Sequence, residues 1–107
     1  MNKDKIMIPL LLAAIAVAVV IFVIIYLIRV HWDTLAEWFQ QKEGLIKSDE
    51  IAALIKTTLE SGAVIIQGIF KKKTGAPVEG RVIHHKDIDS KTSAAFRESS
   101  SGVLIVE

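Results

Sequence analysis

The sequence predicts a membrane protein: a single N-terminal transmembrane α-helix, then juxtamembrane amphipathic helices, then a small α+β, short-stranded C-terminal tail. Three observations carry that expectation. Ile6 to Ile28 is a run of 23 residues without a charge, bounded by Lys5 and Arg29. Trp32 and Trp38 follow it closely, and a long stretch of apolar residues at helical spacing comes after them.

The boundaries read as a polar tail at 1–5, a transmembrane helix at 6–29, a juxtamembrane helix and turn at 30–47, an amphipathic helix at 48–74 and a β-rich or flexible tail at 75–107. A 23-residue helix is about 34 Å long, enough for a hydrocarbon core of about 30 Å. Sixteen of the 23 residues are Leu, Ile, Val or Phe, which on an insertion scale contribute on the order of −5 to −10 kcal/mol. A cleaved signal peptide fits less well, because its apolar stretch runs about 7–15 residues and ends in small residues, whereas this one ends Ile-Ile-Tyr-Leu-Ile-Arg. Pro9 is expected in the first turn, where its missing N–H is harmless. Tyr26, Trp32 and Trp38 suit an interfacial belt, and Lys3 and Lys5 favour a cytoplasmic N-terminus. Ala14 and Ala18 form a small-xxx-small pair that permits close helix packing.

Beyond the anchor, Thr34 and Glu37 match a capping box with Gly44 as a stop, placing Leu35, Trp38 and Phe39 on one helix face. A second helix is predicted from Ser48 to about Lys73, with Asp49 and Glu50 in its first turn. Its apolar stripe is Ile51, Leu54, Ile55, Leu59, Ile66, Ile69 and Phe70, and its polar stripe Asp49, Lys56, Glu60, Gln67 and Lys71. Gly62, Gly68 and the β-favouring run from Ala63 to Ile66 argue instead for a strand at 63–70. Arg81 to His85 and Val103 to Val106 are strand candidates, with Ser99 to Gly102 as a flexible spacer.

Several function classes lose support. There is no cysteine, so disulfides and thiolate chemistry are excluded. Formal charge is +1 overall, with ten Lys and Arg against eleven Asp and Glu after Arg29. A nucleic-acid partner usually requires a basic excess, so none is expected. No glycine-rich phosphate loop and no nucleophile elbow is present. The chain reads as non-enzymatic and without a cofactor. Its candidate metal ligands are His85, Asp87 and Asp89, which share one face of an extended strand while His84 points away; such a set suits zinc, iron or manganese.

What remains is contact with partners. The expected function is that of a membrane-anchored accessory, assembly or scaffold protein that binds other proteins at the membrane. Its interface would be Trp32, Leu35, Trp38, Phe39 and the stripe from Ile51 to Phe70, with Lys71, Lys72 and Lys73 beside it. The expected partners are the lipid bilayer and other membrane or membrane-associated proteins, a homo-oligomer included. Amphipathic helices acting on the membrane surface are the alternative, since each of those lysines would contribute about 1 kcal/mol near anionic headgroups.

Overall fold

The uncharged run changes conformation part-way. In a computed structural model describing residues 3–99 and 101–106, α1 spans Lys3–Ile21 and β1 spans Val23–Val30. Residues 1–2 of the expected polar tail, and Ser100 and Glu107 of the expected flexible tail, lie outside the described residues. Then come α2 (Trp32–Lys42), a 3-10 turn (Glu43–Leu45), β2 (Glu50–Leu59), β3 (Gly62–Lys71), β4 (Pro77–Ile88), α3 (Ser90–Arg97) and β5 (Val103–Val106).

The composition changes where the conformation does. Residues 13–18 hold four alanines, the best helix former, whereas 19–28 hold none and are rich in Val, Ile, Phe and Tyr. The uncharged part of α1 is therefore 6–21, about 24 Å of helix, short of the roughly 30 Å hydrocarbon core. Among the described residues no helix is long and apolar enough to cross a membrane. The single-pass transmembrane helix, the membrane localisation with a cytoplasmic N-terminus, and the fold class built on them are corrected accordingly. Pro9 lies inside α1 rather than in its first turn.

The predicted amphipathic helix at 48–74 is also corrected. Its residues form the β2–β3 hairpin, in register from Glu50 opposite Lys71 to Leu59 opposite Gly62. A five-stranded sheet results, ordered β1-β4-β3-β2-β5. β1 lies parallel to β4, and the other neighbours are antiparallel.

Side chains alternate across this sheet and divide between two cores. On one face Ile51, Ala53, Ile55, Val64, Ile66, Phe70 and Val82 pack beneath Leu11, Ala14, Ala18 and Phe22. On the other, Leu54, Ile65 and Ile83 meet Leu35 of α2 and Phe96 of α3. The architecture is three layers, with α1 on one side and α2 and α3 on the other. Ala14 and Ala18 are turned toward the sheet, where their small size lets the helix approach the strands.

A notch holds the helix end in place. Gly68 and Gly80 sit opposite each other on β3 and β4, and the Phe22 ring lies over the pair. A Cβ at Gly68 would come 2.6 Å from Phe22 Cε2, and one at Gly80 would come 2.5 Å from the same atom while also meeting the Gln67 carbonyl oxygen.

Candidate interaction surface

The residues sequence reasoning assigned to an interface are largely taken up by the molecule's own core. Leu35, Ile51, Leu54, Ile55, Ile66, Ile69 and Phe70 are buried, and Leu59 is partly buried against the α1-side core. Lys71 binds Asp49 at 3.1 Å and Glu50 at 3.2 Å. Those two hydrogen bonds raise the Lys71 pKa. Lys72 Nζ donates to the Ser48 carbonyl, and Lys73 is exposed.

Trp32 and Phe39 are partly buried. With Leu35, Ala36, Ile46, Ala52, Leu54 and Val106 they line a groove of about 300 Å³ between α2 and the β2/β5 edge. Trp38 serves a polar tether instead. Gln67 is fully buried; its Nε2 donates to the Leu35 carbonyl and its Oε1 accepts from Arg81 Nε, both at 2.8 Å. The Arg81 guanidinium lies 5.7 Å from the Trp38 ring centre and Lys42 Nζ 5.5 Å from it. Sequence reasoning placed Gln67 on a solvated stripe and did not single out Arg81. The available signal was one amide within the otherwise apolar Val64–Phe70 run, since a buried polar group needs partners.

The candidate metal ligands have separate tasks. Asp87 faces Arg29 at 3.5 Å. Asp89 lies beyond β4 as the N-cap of α3, accepting from the Thr92 N–H at 2.9 Å and the Trp32 N–H at 3.0 Å. Burial pushes its pKa up, but these hydrogen bonds outweigh that and hold it at about 2. Both ring nitrogens of His85 are buried without a partner, and burial lowers the imidazole pKa toward the neutral form. Among the described residues no three His, Asp or Glu side chains are placed to share an ion.

The surface that stands out is one the sequence reading had assigned to lipid. On α1, Leu11, Ala14 and Ala18 point into the core, while Ile8, Ile15 and Val19 are half covered on one flank. Ile8 borders the β5 end of the sheet, beside Leu104 and Ile105, so the opposite flank of the helix, with Val17 and Ile21, is turned toward β1. Leu12, Val17, Val20 and Ile21 remain 41, 51, 79 and 55% exposed. The chain passes through Phe22 directly into β1, where Val23, Ile24, Tyr26 and Ile28 are 68, 50, 76 and 81% exposed.

β1 is an edge strand with β4 on one side only. Among the described residues its other side therefore presents backbone N–H and C=O groups without a strand partner. Its parallel pairing runs from Val23 opposite Arg81 to Val30 opposite Ile88. Tyr26 stacks on His84 with ring centres 4.9 Å apart. Val17 and Ile21 on the helix flank and Ile24, Tyr26 and Ile28 on the α1 side of the strand edge thus form one apolar surface, whereas Leu12 lies on the β5-side flank of α1 and Val23 on the opposite face of the sheet.

No family model, curated protein or solved structure matches this chain. Fold and surface together define a three-layer α/β/α domain with one open apolar edge.

Proposed function

We propose that the chain is a non-enzymatic interaction protein that joins protein chains through the surface formed by the Val17/Ile21 flank of α1 and the β1 edge. One observation carries the reading: among the described residues, eight of the ten exposed large apolar side chains fall between Leu12 and Ile28 in the chain. Exposed apolar residues scattered singly need no explanation, but Val17, Ile21, Ile24, Tyr26 and Ile28 lie together on one side of the β1 edge, and a contiguous apolar patch marks a binding surface.

The test is site-specific photocrosslinking in cells expressing the full chain. A photoreactive residue at Val20 or Ile24 is expected to give adducts with protein, while one at Leu45, exposed elsewhere on the molecule, gives none. Adducts with lipid alone, or equal labelling from all three positions, would overturn the proposal.

A further inference from the structure

The geometry points to a second copy of this chain as the occupant of the β1 edge, paired antiparallel about a two-fold axis to make a continuous ten-stranded sheet. The inference rests on the interaction reading above and names its partner.

An edge strand ordinarily carries a device that prevents pairing: a proline, a bulge, an inward-pointing charge or a very short length. β1 has eight residues, no proline, an uninterrupted apolar run from Val23 to Ile28, and Arg29 as its one charge. Arg29 already faces Asp87 of its own chain. The opposite edge differs, since β5 has four residues and covers only Ala52–Ile55 of β2. The occupant that covers β1 most fully is an extended strand with an apolar paired stretch and backbone groups free along one side. The chain's own β1 meets each requirement, and a second copy is present at equal concentration.

Symmetry makes the faces agree. A two-fold axis perpendicular to the sheet keeps both α1 helices on the same side, so Ile24, Tyr26 and Ile28 of each strand meet in one row of six apolar side chains. Aromatic and β-branched residues are favourable partners across an antiparallel pair. The flanks of α1 bearing Val17 and Ile21 border that row from either side. Antiparallel strands place the two Arg29 residues at opposite ends of the pair, separated by more than the Debye length of about 8 Å at physiological salt.

Light scattering on the full chain at rising concentration tests the pairing. The expected mass is twice the 11.8 kDa of one chain. In the Tyr26→Lys/Ile28→Lys variant, which brings like charges together across the axis, it falls two-fold with an unchanged circular dichroism spectrum. The chain lacks native cysteine, so Tyr26→Cys supplies an independent arm: oxidation is expected to give a disulfide-linked dimer, whereas Leu45→Cys gives none. A monomer at every concentration, or a dimer that survives the lysine pair and crosslinks through Leu45, would overturn the inference. If protein adducts still form from Val20 while the mass stays that of a monomer, the second copy is wrong and the interaction surface stands.

Discussion

The β2–β3 hairpin and the segment from α1 to β1 are both strongly apolar, yet the molecule treats them in opposite ways. The hairpin lies in the middle of the sheet, covered by α1 on one face and by α2 and α3 on the other. Val64 to Phe70 are all buried. The α1–β1 segment covers part of that sheet while turning its own outer side to water. An apolar run states that surface needs covering, and the topology decides whether this chain does the covering.

The largest effects are expected where the hairpin is sealed. Phe70, 0% exposed, should lose about 3–5 kcal/mol as Phe70→Ala. Val17→Ala on the outer flank of α1 should change stability by about 0.5 kcal/mol or less. Chemical denaturation of both variants checks the contrast, and equal losses would break it.

Next is the notch between the two regions. Gly80→Ala drives a methyl group against Phe22 and the Gln67 carbonyl oxygen, an overpacking expected to cost about 1–3 kcal/mol. The Gln67→Leu variant sharpens the account of the covered side. It removes the hydrogen bonds to Leu35 and Arg81 and leaves a part-buried guanidinium short of a partner, for a loss of about 1–3 kcal/mol. Trp fluorescence should shift in parallel, because Arg81 packs on Trp38.

A smaller loss on the covered side concerns Asp89, which ties the N-termini of α2 and α3 together. Its folded pKa of about 2 lies below the ordinary 3.8, so its contribution is present above about pH 4 and is lost as pH falls toward 2. Asp89→Ala should cost about 1 kcal/mol at neutral pH, as the loss of a helix cap does. That part of the acid sensitivity should vanish with it, as a pH series of denaturation midpoints would show.

The sequence revealed less of the fold than its patterns suggested. At Ile51, Leu54, Ile55 and Leu59 a helical stripe is visible only because a central strand is apolar on both faces, which hides the two-residue period. The strand alternative at 63–70 falls inside β3, and the argument for it was chemical: two glycines and a β-branched run. At Phe22 the change from alanine-rich to β-branched composition was legible, but the absence of charge across 6–28 outweighed it. His85, Asp87 and Asp89 were read as sharing a strand face, which required the strand to continue past Ile88. Instead it ends there, and Asp89 becomes a cap. Gln67, a lone amide within an apolar run, carried a signal for buried hydrogen bonding that the assumption of a helix converted into a solvated position. The open edge at β1 was not legible, because edge position depends on strand order, which no local pattern encodes.

Carbon-13 secondary chemical shifts across residues 6–30 test the central claim most directly. Helical shifts through Ile21 followed by strand shifts from Val23 to Val30 are the predicted result. Helical shifts continuing unbroken to Ile28 would contradict it, and would remove both the sheet edge and the surface built on it.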